Sequence, residues 1–406
     1  MEASVRFPQD WGLGGHFAVF ITRVCYNTGE LILVMKAVSQ TQQAEGLQVS
    51  VVTSSADLDA LADDWRGLAD ECPAATVFQT YEWNAAWIRH FGGGKRLHIM
   101  QFRVDGKLIG LAPLMTGFWY LSPFRKLSLI GTGASDYLDI LATAGNEERV
   151  ANALYDYLRT WRGWQVADLQ QLREGGALRG VRPRSLRSYD SLQEPCPYLT
   201  LAGDWQAVLA GFGKKTRYNV GYYGRTLEKL HEVDFSCASE DELDDEMSNL
   251  YELHQRRWNK RWLPGVFGSR RTQQFHRDVA RALLRRGWLR LFCLRLDGST
   301  EACLYCFSFG DRICYYQGGF EPTLAKLSLG TVLTARAIET AVDEGKAVFD
   351  FLRGDEPYKA KWTADSRRNA RRLMARSILL MPLLALVQRV EDAVETRAKA
   401  LARKFK

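Results

Sequence analysis

The sequence lacks any apolar run of the length that a membrane-spanning helix needs, which is about 20 residues. The two longest candidates, Phe17–Val24 and Leu31–Val38, are short and are separated by a polar turn, and no signal-peptide pattern precedes them. Of the 406 residues, 46% are apolar and 25% are charged, which is an ordinary composition for a chain with two or three packed domains. We therefore predict a cytoplasmic protein.

Patterns typical of metal binding and of covalent catalysis are also missing. The six histidines are scattered, and the eight cysteines show no pairing framework. Cys303 and Cys306 form a CxxC in an alternating segment, where strand geometry puts them on opposite faces, and no second pair completes a zinc set. We predict buried free thiols and no metal, and no Cys/His or Ser/His/Asp arrangement supports a covalent intermediate.

Basic charge is concentrated at the end of the chain. The net charge is +7, and residues 367–406 hold eleven Lys/Arg against three Asp/Glu, which gives +8 and leaves −1 for the rest. A nearly neutral body disfavours a nucleic-acid-binding core. Residues 378–406 combine apolar residues at helical spacing with a basic end. Two interpretations stay open: a helix that packs on the body, or contact with the surface of the inner membrane by a peripheral protein.

A unit of helices and strands occurs twice along the chain. Arg103, Asp105 and Gly106, at a hairpin between two apolar strands, recur 192 residues later as Arg295, Asp297 and Gly298. The order of helices and strands repeats around both hairpins, which predicts a duplicated α/β unit. We expect a poorly defined segment at 1–46, with Met35 as an alternative start, domains at 47–196 and 197–376, and a helical tail at 377–406.

The most specific pattern lies between Arg312 and Trp362. It reads as a strand, a loop that ends at Gly330, a helix, and a second strand that runs into a polar segment. Free N–H groups at the start of such a helix, together with the helix dipole, attract an anion. The candidate cofactor-binding residues are therefore Ser328, Leu329, Gly330 and Thr331. The alternative for Ser328 is an ordinary helix cap.

Several segments resemble the FemABX-like branch of the GNAT superfamily, and most closely the acyltransferase domain of CelD-type cellulose-biosynthesis proteins and of BioF-like acetyltransferases. The matching segments are Phe78–Trp87, Asp105–Leu114, Ser135–Asp139, Lys214–Asn219, Leu296–Gly298, Gly319–Pro322, Ser328–Gly330 and Phe349–Trp362. The resemblance covers residues 47–375. It implies an α/β (α+β) fold of two tandem GNAT-like domains, each with a mixed, mostly antiparallel sheet flanked by helices.

The resemblance also implies a function. It predicts acyl-CoA as co-substrate, a donor site in the second domain, and direct N- or O-acyl transfer to a small-molecule or glycan-precursor acceptor related to the cell envelope or to exopolysaccharide. The usual Gln/Arg-x-x-Gly-x-Gly/Ala donor loop is matched here only at Gly330.

Candidate catalytic residues follow the second strand: Lys359, Asp350, Glu356 and Tyr358. By the resemblance, Lys359 takes the place of a lysine that stabilises the developing oxyanion in FemABX-like enzymes. Asp350 and Glu356 are candidate general bases. A buried acid at position 350 needs a partner, for which Arg353 or Lys359 is expected, and a structural salt bridge is the alternative.

Candidate acceptor-binding residues come from both domains: Asp136, Tyr137, Asp139, Trp258 and Arg353. Carboxylates suit a cationic amine or sugar hydroxyls and tryptophan stacks on sugar faces, although ordinary loop polarity and core packing would explain them equally. The tyrosine-rich basic helix from Lys214 to His231 suits a CoA tail, a nucleic acid or a solvated linker.

Two other functions stay open. An aminoacyl-tRNA-dependent transferase of the FemABX type would need RNA contacts, which the neutral body disfavours. A non-catalytic accessory protein of cellulose-type polysaccharide biosynthesis would fit the reduced donor loop and the amphipathic basic tail.

Overall fold

The computed structural model describes residues 25–27, 30–32, 46–120, 122–184, 186–259 and 265–404. Its strands are β1 Cys25–Asn27, β2 Glu30–Ile32, β3 Leu47–Val52, β4 Arg96–Val104, β5 Lys107–Phe118, β6 Arg125–Leu129, β7 Leu141–Ala142, β8 Val166–Leu172, β9 Arg187–Thr200, β10 Val233–Cys237, β11 Leu289–Leu296, β12 Ser299–Phe309, β13 Arg312–Phe320, β14 Val348–Asp350 and β15 Ser366–Ala375. Its α-helices are α1 Ser55–Ala60, α2 Ala62–Glu71, α3 Tyr81–Phe91, α4 Glu147–Thr160, α5 Ala177–Gly180, α6 Trp205–Gly211, α7 Lys214–Leu230, α8 Leu243–Asn259, α9 Arg270–Arg285, α10 Leu329–Asp343 and α11 Leu380–Lys404. Short 3-10 helices lie at Val77–Gln79, Pro322–Leu327 and Lys359–Lys361.

One mixed sheet runs through the molecule. Within the described ranges it has thirteen strands in the order β10-β11-β12-β13-β14-β9-β15-β8-β6-β5-β4-β3, with β7 beside β5, and β1 and β2 form a separate pair. The pairs β13–β14 and β6–β8 are parallel, and the others in this order are antiparallel. The predicted fold class, mostly antiparallel sheet flanked by helices in two tandem GNAT-like units, is confirmed.

The duplication extends to irregularities of the backbone. Asp105 and Asp297 have φ of 48° and 51°, and the glycines that follow them have φ of 80° and 82°. A register shift falls between Phe102 and Arg103 in β4 and recurs in β11, 192 residues later. Such bulges are specific local features of a sheet, so their recurrence is stronger support for a repeat than the turn alone.

Two long strands link the halves of the sheet. β9 pairs with β14 of the second half, while β15 lies between β9 and β8 of the first half. The predicted domain boundary between residues 196 and 197 therefore falls inside β9. Both strands were missed in the sequence, where the arginine-rich β15 read as part of a basic tail.

Two consecutive arginines in β15 are inside the fold because each has a carboxylate partner. Arg371 makes bidentate hydrogen bonds of 2.8 and 3.0 Å to Asp168, and Arg372 makes bonds of 2.8 and 2.7 Å to Asp190. A buried guanidinium is tolerated only when it is paired in this way. Much of the predicted basic tail is thus structural.

A shared aromatic core holds the halves together next to the site. Trp83 in α3 contacts Phe275 in α9 and Phe307 in β12, with ring centroids 5.3 and 5.7 Å apart. Thr80 and Ser269 cap α3 and α9 by accepting backbone N–H groups, which fixes where these helices begin. Burial of one such phenylalanine contributes about 1.5–3 kcal/mol, so this interface resists relative motion of the halves.

The predicted C-terminal helix is present as α11 and packs on β15. No helix in the described part of the chain is both long and apolar enough to cross a membrane. Of the predicted segment 1–46, only β1, β2 and Gly46 fall within the described residues.

Candidate functional site

A cleft of about 850 Å³ opens where β13 and β14 separate. The two strands pair only from Arg312 to Cys314 and from Val348 to Asp350, after which the chain beyond β14 turns away. Leu352 takes a left-handed φ of 56° at this turn, a conformation that costs an ordinary side chain energy and is usual at functional sites. Both halves of the chain line the cleft.

A bulge in β13 shapes the cleft wall. Tyr305 and Cys306 of β12 pair with Gln317 and Tyr315, so Tyr316 is an extra residue. Its hydroxyl donates a 2.8 Å hydrogen bond to the carbonyl oxygen of Ala134 in the first half. The bulge therefore joins the halves at the floor of the cleft.

The predicted cofactor-binding residues line a separate pocket of about 270 Å³ at the start of α10. Ser328 has a left-handed φ of 51° and its side chain makes no cap hydrogen bond, so the ordinary-cap interpretation does not hold. Within the described part of the chain, the N–H groups of Leu329 and Gly330 donate no hydrogen bond, and the first turn of α10 holds no acidic residue. These amides with the helix dipole favour an anion.

The pocket and the cleft are adjacent. Tyr315 and Tyr358 line both, and Trp362 closes the pocket side. Lys361, whose carbonyl oxygen accepts a 3.1 Å hydrogen bond from Thr216 in α7, also lines the pocket. The basic start of α7 therefore lies beside the pocket, where it could meet an anionic ligand but also has a structural contact.

Lys359 is buried at the end of the cleft, and its three donor positions have partners. Its Nζ donates to the carbonyl oxygens of Leu352 at 3.2 Å and Arg353 at 2.8 Å, and it pairs with the Glu356 carboxylate at 3.0 Å. Glu356 is half exposed, so it is the partner that can leave most easily. The lysine thus holds the left-handed turn and keeps a positive charge at the cleft.

Arg353 and Asp136 join the two halves across the cleft. The guanidinium lies 2.6 Å from the carboxylate, and both residues line the cleft. Burial raises the pKa of Asp136 above its usual value, although Arg353 and Lys359 oppose the shift. These two candidate acceptor-binding residues, which come from opposite halves, therefore lie together at the cleft.

Asp350 has a different partner from the two that were predicted. The hydroxyl of Tyr137 donates to both of its oxygens at 3.0 Å, and the N–H of Leu352 donates at 2.9 Å. Burial raises the pKa of Asp350, which these hydrogen bonds and nearby arginines partly offset. Arg353 and Lys359 are engaged elsewhere, so the expected pairing with either was wrong; Asp350 and Tyr137 are buried behind the cleft wall.

Asp139, like Tyr137 a predicted acceptor-binding residue, does not line the cleft. Asp139 lines a different pocket of about 290 Å³ and accepts the N–H groups of Ile140 and Leu178 at 2.8 and 3.0 Å. Burial raises its pKa to about 6. Trp258 belongs to α8, but its side chain lies outside the described residues.

Three residues that line the cleft were not predicted from the sequence. Lys95 and Lys126 come from the first half, and Lys95 lies against Gly117, the strand partner of Lys126. Burial and then repulsion by Lys126 lower the pKa of Lys95. His276 is buried among aromatic rings with both nitrogens unpartnered, which lowers its pKa to about 3 and keeps it neutral. Helical and strand periods do not reveal such convergence.

A second group of ligand-type side chains lies away from the cleft. Glu246, Cys293 and Cys303 offer atoms within 4.8 Å of one another. The Glu246 carboxylate already accepts hydrogen bonds from Arg295 at 2.6 Å and from Thr300 at 3.0 Å. These bonds account for the buried acid, so we assign it no ion.

Comparison with known proteins agrees with this fold. Residues 214–360 match the family model of the acetyltransferase (GNAT) domain. The crystal structure of FemX aligns with a TM-score of 0.58 and 12% identity, over 77% of this chain and 95% of that one. A conserved protein of unknown function from Bacteroides thetaiotaomicron aligns with a TM-score of 0.55 and 9% identity, over 80% and 100%. A tandem GNAT protein from the clavulanic acid biosynthesis pathway gives 0.46 and 12%, over 81% and 99%. No curated protein matches the chain.

The class of protein follows from the fold and the matched domain. The chain contains a GNAT acetyltransferase domain, and its described residues have a tandem GNAT fold of the FemABX-like type. It is thus a protein of GNAT acyltransferase fold. The likeness to solved structures is a likeness of fold alone.

Proposed function

We propose that this protein is an acyl-CoA-dependent acyltransferase that transfers an acyl group directly to an amine or hydroxyl. The carrying observation is the pocket at the start of α10, which combines undonated amides, no acidic residue and an opening to the cleft at Tyr358. We place the pyrophosphate of the donor there and the thioester near Tyr358. In this proposal, a glycan-related precursor of the cell envelope or of exopolysaccharide is the acceptor, on the resemblance to CelD-type proteins.

The chemistry can be assigned to residues at the cleft. The acceptor amine attacks the thioester carbonyl, and Glu356 leaves Lys359 to accept the amine proton, which frees one N–H of Lys359 for the oxyanion. The tetrahedral intermediate collapses by breaking the carbon–sulfur bond. Tyr358, which lines both the pocket and the cleft, supplies the proton for the thiolate. Arg353 and Asp136 keep the halves in register.

Calorimetric titration with acetyl-CoA and longer acyl-CoAs tests the donor. Gly330→Asp puts a negative charge at the helix start and should weaken binding at least about tenfold. Gly330→Ala is the matched control, because an added Cβ would meet only Phe320 at ordinary contact distances of 3.5 and 3.6 Å. If no acyl-CoA binds the wild-type chain, the proposal fails, and the aminoacyl-tRNA donor and the accessory role become the leading interpretations.

One surface favours a second candidate, an aminoacyl-tRNA donor. Tyr218 and Tyr222 in α7 are exposed and stacked on each other, with centroids 5.5 Å apart and planes 12° apart, on a helix that begins Lys214-Lys215. Exposed aromatic rings among basic residues suit stacking on nucleotides. This candidate predicts RNA binding that weakens steeply with salt and in Tyr218→Ala, whereas acyl-CoA binding would be insensitive to that change.

A further inference from the structure

Helix α11 is held firmly on the body by one face. Leu384 and Gln388 are buried, and Leu384 belongs to a small core with Trp119 and Leu373. Glu391 also pairs with Arg371 of β15 at 2.8 Å. Packing on the body, one of the two interpretations of the tail, therefore accounts for this face.

The opposite face of α11 has an exposed apolar row. Its members follow helical spacing and are exposed by 41% at Leu383 to 62% at Val394: Leu383, Leu386, Val390 and Val394. Leu379, which precedes the helix by one residue, is exposed by 82%. At 1.5 Å per residue the row from Leu383 to Val394 is about 16 Å long. A row of this length is more than the scattered apolar exposure usual on a soluble surface.

The hairpin between β5 and β6 adds aromatic side chains beside this helix. Phe118 and Tyr120 are both more than half exposed, and the Tyr120 hydroxyl hydrogen-bonds Glu391 of α11. Trp119, between them, is buried against Leu384. The apolar row and the hairpin tip therefore belong to one side of the fold, which we call the α11 face.

Arginines surround the α11 face. Arg389 and Arg397 are exposed on the helix, and Arg125 lies over the Phe118 ring at 4.9 Å. Arg376, which precedes α11, donates to the carbonyl oxygen of Arg159. Burial, and then the nearby charge of Arg162, lower the pKa of Arg376. Glu391 of α11 lies away from the apolar row, since it pairs with Arg371 of the body.

We infer that the α11 face docks on the surface of an anionic lipid bilayer. Apolar side chains that lie among arginines match the boundary between acyl chains and anionic headgroups. A second copy fits less well, because a twofold contact would bring the same arginines of both chains together. This inference does not depend on the proposed function, since α11 lines neither the cleft nor the donor pocket.

Co-sedimentation of the full chain with vesicles tests the inference. We expect binding to phosphatidylcholine vesicles that contain phosphatidylglycerol, and binding at least about tenfold weaker without the anionic lipid. The variant Leu386→Glu/Val390→Glu should lose binding, and Arg389→Glu/Arg397→Glu should weaken it. Leu230→Glu is the matched control, because Leu230 in α7 is exposed by 58%, the same as Leu386; it should bind like wild type.

Three outcomes would overturn the inference. One is an absence of vesicle binding by a monomeric wild-type chain, and another is binding that Leu386→Glu/Val390→Glu leaves intact. The third is a concentration-dependent dimer, measured by sedimentation, that the same variant dissociates, which would assign the α11 face to a second copy. Acyl-CoA titration of each variant distinguishes these failures from failure of the proposed function, since donor binding should not change in any of them.

Discussion

The two halves of this molecule share a fold but treat the gap between their parallel strands differently. In the second half, β13 and β14 diverge and leave a cleft, with a small pocket at the start of α10. In the first half, β6 and β8 diverge as well, but the chain itself fills the gap. Leu138 bridges to Leu172 along β8 and its N–H donates to the Gln171 carbonyl oxygen at 2.9 Å.

The helices α4 and α10, which occupy equivalent places in the two halves, also differ at their first turns. Val166 and Val348 take equivalent places in the parallel pairs and are 182 residues apart, and so are the first residues of α4 and α10. Glu148 therefore occupies the place of Gly330. An acid in the first turn stabilises α4 itself but repels a phosphate, so the start of α4 lacks the features that favour an anion at the start of α10.

Removal of the Lys359 charge should have the largest effect. If the chemistry belongs to the second half, Lys359→Met should lower kcat about 10²–10³-fold, in the range for loss of one oxyanion donor. Donor affinity by calorimetry should change little. Lys346→Met is the control, since Lys346 also donates to a carbonyl oxygen, that of Gly310 at 3.0 Å, but lies outside the cleft. Equal turnover in both variants would remove Lys359 from the chemistry.

Asp139, in the first half, should make the free energy of unfolding depend on pH. Its pKa rises from 3.8 to about 6 on folding, mainly because of burial. Between about pH 4 and 6 the native state thus holds a proton that the unfolded chain has released, so the free energy of unfolding falls as pH rises, by about 3 kcal/mol in total. Urea unfolding at several pH values should show this slope in wild type and not in Asp139→Asn. Parallel curves for the two proteins would contradict it.

The repeated hairpins predict a smaller effect that is equal in both halves. Gly106→Ala and Gly298→Ala should each destabilise by about 1 kcal/mol, because alanine disfavours φ near +80°. A Cβ at either site would meet nothing within 4 Å, so the cost is one of backbone conformation. Gly67 is an exposed residue of α2 with ordinary φ, so Gly67→Ala should instead stabilise the protein. Urea unfolding measures all three, and a difference above about 0.5 kcal/mol between the first two would show that the copies are not equivalent.

Local patterns in the sequence were enough to predict one half of the site. The strand, loop and helix around Gly330 are contiguous in the chain, so a turn signal and helical period predict where an anion would bind. The segment with Lys359 is also contiguous, and the resemblance marked it. The residues Arg353, Glu356 and Tyr358 do line the cleft.

Partners distant in the chain could not be predicted in this way. Tyr137 lies 213 residues from Asp350, and β15 pairs with β8 across about 200 residues. A strand with two consecutive buried arginines, Arg371 and Arg372, has no apolar period, because their burial is offset by the partners Asp168 and Asp190 rather than by apolar contact. Lys95 and Lys126 converge only once β4, β5 and β6 are in register, so no local signal marks them.

The smallest expected effect on donor binding comes from a variant in which the start of α4 carries the residues found at the start of α10. In Glu147→Leu/Glu148→Gly, the start of α4 matches that of α10, and calorimetry should still find one donor per chain. Removal of the acids does not clear the gap, because Leu138 remains buried along β8. Glu147→Gln/Glu148→Gln, which removes only charge, should behave alike, and both should lose up to about 1 kcal/mol of stability for each acid. A second bound donor in the first variant would mean that the acids alone separate the halves, and that the chain segment in the gap yields to a ligand.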